Sequence, residues 1–247
     1  MRHCLKIWAW AMVRYGAVYI KDDKDMKVEL KKPLIVLDDP RSIAAEQYRI
    51  LCAKIQQISD RKSFKTFAIT SALKGEGKTT TSLNLAYIMA HEFKKKVLLI
   101  DGDMRHPSTP SYMEIKKGHA LIDILRGNIA PAATLISLNN GNLSCIPSVI
   151  SPQSNPAEFL TSPEMKRLID SSRNRFDCVI IDCPPILPVV DMNILAEIVD
   201  GVLLVVKADK TPKDLVMKAL KSLTTGEVVG LVLNNANVSS KKYYYKY

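Results

Sequence analysis

The stretch Thr70-Ser71-Ala72-Leu73-Lys74-Gly75-Glu76-Gly77-Lys78-Thr79-Thr80 decides the fold. It follows a short apolar run, Phe67–Thr70, and opens a helical pattern near 78–92. Strand, glycine-rich loop and helix in that order are the context a phosphate loop requires. The glycines let backbone N–H groups curl around phosphate oxygens, and the helix N-terminus adds favourable partial charge. Gly75, Glu76, Gly77, Lys78, Thr79 and Thr80 are therefore the candidate nucleotide-binding residues. Lys78 would reach the β- and γ-phosphates, and the Thr79 hydroxyl would bind Mg²⁺. The strict pattern asks for glycine six positions before Lys78, where Ala72 stands. Taken alone, the stretch also reads as an ordinary strand-to-helix turn with a surface lysine.

Outward from the loop, apolar runs alternate with helical stretches. The runs are Phe67–Thr70, Val97–Ile100, Leu143–Ile146, Cys178–Ile181, Gly201–Val206 and Val228–Leu233. Helical stretches fall near 78–92, 156–174, 192–198 and 212–224, and a further helix runs from an N-cap at Ser42 to about Gln57. Continuously apolar strands are buried on both faces. The expected class is α/β: a three-layer P-loop NTPase fold, its mostly parallel sheet flanked by helices on both faces. Residues 1–40 read as an N-terminal segment and an extended linker marked by Pro33 and Pro40. Residues 41–238 read as the domain, and 239–247 as a flexible, low-complexity tail.

Two further strand ends carry acid. Val97-Leu98-Leu99-Ile100 leads into Asp101-Gly102-Asp103-Met104-Arg105-His106-Pro107, and Cys178-Val179-Ile180-Ile181 leads into Asp182-Cys183-Pro184-Pro185. In an open parallel sheet, ligands sit beyond the carboxyl ends of the strands. Asp101, Asp103 and Asp182 would then share an edge with the loop, to hold Mg²⁺ or to orient an attacking hydroxyl. Cys178–Ile181 followed by Asp182, four apolar residues and then an acid, is a Walker B pattern. Each site alone has a bland reading as a strand end or solvated turn, and three together in this order make coincidence a poor account. Asn234, after the last run, is a candidate for a base edge, or with Asn235 a simple turn.

The net charge of +10 suits phosphate-bearing ligands, nucleic acid or an anionic membrane surface without choosing among them. Five scattered cysteines show no metal-ligand spacing and read as reduced thiols in a cytosolic protein. Near the N-terminus, the apolar run Ile7–Val13 lies between Lys6 and Arg14, far short of the roughly 20 residues that span a bilayer. Four of the nine tyrosines, Tyr243, Tyr244, Tyr245 and Tyr247, stand in the last five residues.

Together these residues resemble the bacterial tyrosine kinases of capsule and exopolysaccharide synthesis, within the Min/Par-like branch of P-loop ATPases. The resemblance covers roughly residues 40–247. It implies ATP and Mg²⁺ as cofactors. It also implies Lys78, Asp101 and Asp103 as catalytic residues and Thr79, Asp101 and Asp182 as metal ligands. Asp101 would lie near the attacking phenol, and Tyr243, Tyr244, Tyr245 and Tyr247 would be autophosphorylated. The partners it implies are a membrane-embedded polysaccharide chain-length or activator protein, further copies of the chain and a cognate tyrosine phosphatase, with no nucleic acid. The implied location is cytoplasmic, at the inner face of the membrane. The chain lacks the membrane-spanning activator region that many members carry in fusion, and so resembles the split type. The family's Glu-x-x-Arg-x-x-Arg subunit-contact pattern is matched by Glu46 and Arg49 but departs at Cys52, which weakens the case for a ring. A Min/Par-type ATPase switch acting on membrane or DNA is the competing reading. Its signature lysine would stand at Leu73, one place before Lys74. A pseudo-kinase scaffold is a third reading, opposed by the intact Lys78, Thr79, Asp101 and Asp182.

Overall fold

The computed structural model describes residues 34–112, 119–138, 142–150 and 155–237, together with the backbone of two short paired strands, β1 (Ala17–Val18) and β2 (Val28–Glu29). Two helices lead into the sheet, α1 (Ile35–Asp38) and α2 (Ile43–Lys62). The loop strand β3 (Thr66–Ser71) passes into α3 (Lys78–His91), and β4 (Val97–Asp101) follows. After short helices α4 (Thr109–Tyr112) and α5 (Leu121–Leu125) come β5 (Ile136–Leu138) and β6 (Leu143–Ile146). Helices α6 (Pro156–Leu160) and α7 (Pro163–Arg175) precede β7 (Cys178–Asp182). The chain then runs through α8 (Asp191–Ala196), β8 (Gly201–Lys207), α9 (Lys213–Ser222) and β9 (Val228–Asn234).

Seven strands form one sheet in the order β5-β6-β4-β7-β3-β8-β9. Six are parallel, and β5 pairs antiparallel with β6 at the edge. This is the expected α/β class. Alternation along the strands explains their continuous apolarity. Ala68, Leu98, Ile100, Val179, Ile181 and Leu204 enter one core. Their neighbours Phe67, Ile69, Leu99, Ile180 and Val205 enter the other. The second core is covered by α1, α2 and α3, and the first by α5 to α9. Helix α3 is buried on almost all sides, as a helix lying beneath another layer must be.

Local chemistry sets several boundaries that sequence patterning misses. Helix α2 starts where expected, with the Ser42 hydroxyl accepting from the Ala45 N–H at 3.1 Å. It continues past Gln57 to Lys62, because no breaker intervenes, Arg61 and Lys62 suit the helix C-terminus, and Ser63 closes it in the left-handed conformation. The expected helix 156–174 is two helices. Pro163 holds Ser162 extended, and the Ser162 hydroxyl caps α7 by accepting from the Met165 N–H at 3.3 Å. Residues 35–38, expected within an extended linker, form α1, and Leu34 and Val36 are buried in the core. The unit thus begins ahead of the expected boundary at 41. Residues 1–16 and the tail tyrosines lie outside the described residues.

Candidate functional site

Parallel strands end at one edge, and that edge gathers the three acid-bearing segments. The loop strand β3 lies next to β7, and β7 next to β4. Asp101 and Asp182 are direct register partners on β4 and β7. Gly102 allows this close approach: its N–H donates to the Asp182 carbonyl at 2.8 Å, and a Cβ there would meet Ile181 Cγ2 at 2.9 Å.

The loop side chains point into this edge. Lys78 Nζ donates to Asp103 Oδ2 at 2.8 Å, with both side chains almost fully buried. The Thr79 hydroxyl donates to Asp182 Oδ2 at 2.6 Å. Ser82, one turn along α3, donates to Asp182 Oδ1 at 3.3 Å. Asp101 accepts the N–H groups of Asp103 at 3.2 Å and Thr109 at 3.0 Å, while the Ser148 hydroxyl holds its carbonyl at 2.5 Å. Asp103 Oδ1 accepts the His106 N–H at 3.0 Å. Arg105 makes a bidentate pair with buried Asp191 at 2.8 and 2.9 Å, which pins this loop to the start of α8.

Three carboxylates and one ammonium share a buried space, and the charges settle accordingly. Burial, then the Asp182 charge, push Asp101 up to about 8 against the hydrogen bond from the Thr109 N–H. Burial also raises Asp182, while Lys78 and Thr79 pull it back toward the ionised form. Burial works against the Lys78 ammonium, but Asp182, Asp103 and Asp101 outweigh it and its affinity for the proton rises. The excess negative charge fits a divalent cation. Among the described residues no three His, Cys, Asp or Glu side chains converge to hold a metal by themselves. The donor set fits Mg²⁺, which takes one or two carboxylates and completes its shell with water and phosphate oxygens.

Two nominated residues sit otherwise than their motif position suggests. The Asn234 amide, nominated for a base edge, donates instead to the Glu76 carbonyl at 2.9 Å. The Glu76 carboxylate turns beneath the loop and is 3% exposed, leaving only its backbone for a ligand. Thr80 hydrogen-bonds the Tyr112 hydroxyl at 2.8 Å. Leu73, at the Min/Par lysine position, packs against the core, while Lys74 is exposed. In the subunit-contact pattern, Arg49 is engaged within the chain, bound to Glu92 at 2.8 and 3.0 Å and to the Pro40 carbonyl at 3.0 Å. Cys52 is fully buried, its thiol facing the Leu85 carbonyl at 3.8 Å.

Sequence reasoning missed Ser82, Ser148, Thr109 and the Arg105–Asp191 pair. Only Ser82 had a signal, since it stands three residues after Thr79 on the same helical face.

The family model described as AAA domain matches residues 64–226. Tyrosine-protein kinase YwqD of Bacillus subtilis is 34% identical over 223 residues, covering 90% of this chain and 93% of that protein. Succinoglycan biosynthesis transport protein ExoP of Rhizobium meliloti is 35% identical over 211 residues, covering 83% of this chain and 26% of that protein. Among solved structures, the chimerical protein CapA2B2 superposes with a TM-score of 0.76 at 30% identity, covering 84% of this chain and 92% of that one. Among the described residues no helix is long and apolar enough to cross a membrane.

Proposed function

Since this chain belongs to the bacterial tyrosine-protein kinases, we propose that it transfers the γ-phosphoryl group of ATP to tyrosine hydroxyls, its own C-terminal cluster among them. The observation that carries this reading is the convergence of Lys78, Thr79, Asp101, Asp103 and Asp182 on one sheet edge. Lys78 exchanges Asp103 for the β- and γ-phosphates and offsets charge as the phosphoryl group moves. Thr79 and Asp182 would hold Mg²⁺, with Asp101 beside them. The metal would supply neutralisation of the phosphate charge. Asp101 orients the phenol and accepts its proton.

The tail presents several tyrosines beside three lysines, Lys241, Lys242 and Lys246. Phosphorylating four tyrosines adds about −6 to −8 of charge, which reverses the sign of the tail and loosens packing between copies. The kinase acts on exopolysaccharide or capsule synthesis with a membrane-embedded partner, at the cytoplasmic face, and a phosphatase resets it. The likeness to ExoP supports the polysaccharide role, and the likeness to YwqD supports the kinase activity. Mass spectrometry after incubation with Mg-ATP tests the substrate assignment. Phosphate on Tyr243, Tyr244, Tyr245 or Tyr247 is expected. Unchanged total phosphotyrosine when all four become phenylalanine would remove the tail from the reaction.

A further inference from the structure

Glu76 stands between two glycines in the left-handed region, Gly75 at φ 84° and Gly77 at φ 95°. A carboxylate in the middle of a phosphate loop repels the ligand unless it turns away, and this one turns under the loop. Its Oε2 accepts the Leu73 N–H at 2.6 Å. Its Oε1 accepts the Lys207 N–H at 3.3 Å and the Thr211 hydroxyl. Among the described residues Glu76 makes no salt bridge, so hydrogen bonds alone compensate its burial.

The partners belong to separate segments. Leu73 opens the loop. Lys207 ends β8 and pairs in register with Asn234, the end of β9, whose amide holds the Glu76 carbonyl. Lys207 to Thr211 form a tight turn: the Lys210 and Thr211 N–H groups both donate to the Lys207 carbonyl, and Asp209 sits at φ 55°. One residue therefore ties the loop to the turn after β8 and to the end of β9.

We propose that Glu76 is a positioning residue: its buried carboxylate fixes the phosphate-accepting shape of Gly75–Lys78 and couples that shape to the Lys207–Thr211 turn. Nucleotide on the loop then orders the turn, and a displaced turn loosens the loop. The inference rests on the nucleotide reading of the loop. Glutamine cannot substitute. It offers one acceptor oxygen where the carboxylate offers two, and it sets an NH₂ donor against a backbone N–H.

The test is MgADP titration calorimetry on the wild type, Glu76→Gln, Thr211→Val and the double variant. Amide hydrogen exchange of residues 207–211 is followed at saturating MgADP. Glu76→Gln is expected to weaken MgADP about 10-fold or more, equivalent to roughly 1.4 kcal/mol per decade. The double variant is expected to be no weaker than Glu76→Gln, because Thr211 acts through the same carboxylate. In the wild type MgADP protects the turn amides, and in Glu76→Gln it does not even at saturation. Wild-type affinity in Glu76→Gln, multiplying effects in the double variant, or protection retained without the carboxylate overturns the coupling alone. A wild type that binds no MgADP overturns the nucleotide reading and this proposal with it. If Glu76→Gln folds poorly, Thr211→Val carries the exchange test by itself: lost protection supports the coupling and retained protection ends it.

Discussion

Lys78 and Asp103 form a buried ion pair, Nζ to Oδ2 at 2.8 Å. In the proposed function, a nucleotide displaces this carboxylate from the lysine. Asp103→Asn removes the competing charge. MgADP is expected to bind about 3- to 10-fold more tightly to this variant, near 1 kcal/mol, while phosphoryl transfer falls. Calorimetry that finds weaker binding would mean that Asp103 holds the metal through water instead.

The Thr79 hydroxyl and Asp182 at 2.6 Å are the proposed metal grip. Thr79→Val keeps the shape and removes the oxygen. Its MgADP affinity is expected to fall about 10-fold or more, toward the value that wild type shows in excess EDTA. A Thr79→Val protein that keeps the full Mg²⁺ enhancement of ADP binding would place the cation elsewhere.

Gly77 joins two requirements, a positive φ of 95° and close contact with the Asn234 amide. A methyl group there strains the backbone and collides with that amide. Gly77→Ala is expected to lower stability by about 1–3 kcal/mol and to weaken nucleotide binding. Adding Asn234→Gly removes the collision but not the strain, so binding should return only in part. Full recovery in the double variant would show that backbone strain contributes nothing.

At the opposite edge of the sheet, Asp200 accepts the N–H groups of Lys65 and Thr66, each at 2.8 Å, and pairs with Arg173 at 3.0 Å. Burial alone would raise its pKa, but these donors outweigh it and lower the pKa below the ordinary 3.8. A folded-state pKa below the unfolded one gives stability that is full above the unfolded value and is lost as pH falls through the folded value. Asp200→Asn is expected to cost about 1–2 kcal/mol at pH 7, a melting shift of roughly 2–8 °C. The gap from wild type should close below about pH 4. Activity per folded molecule should be unchanged, since Asp200 lies away from the site edge. A gap that is constant from pH 7 to pH 3 would contradict the charge argument.

The main strands were legible because Val97–Asp101, Cys178–Asp182 and their neighbours are buried on both faces and so carry no polar interruptions. Strand β5, Ile-Ser-Leu, is three residues long and has no comparable run. Helices α4 and α5, four and five residues long, are too short for helical periodicity to register. The site divides along similar lines. Lys78, Thr79 and Asp182 announce themselves by strand, loop and spacing. The inward turn of Glu76, the Asn234 bond to the loop and the Arg105–Asp191 pair depend on contacts between segments 86 to 158 residues apart, which local patterning does not encode.

Phosphoryl transfer to tyrosine by the Lys78 site can be measured directly. Phosphotyrosine formed by the purified chain after incubation with Mg-ATP, alone and with the domain of the proposed membrane partner added, measures it. Wild type and Lys78→Met are compared at equal folded concentration. Phosphotyrosine is expected in the wild type, with a loss of at least about 100-fold in Lys78→Met, the scale of removing one preorganised charge from a transition state. Undiminished labelling in Lys78→Met would contradict it.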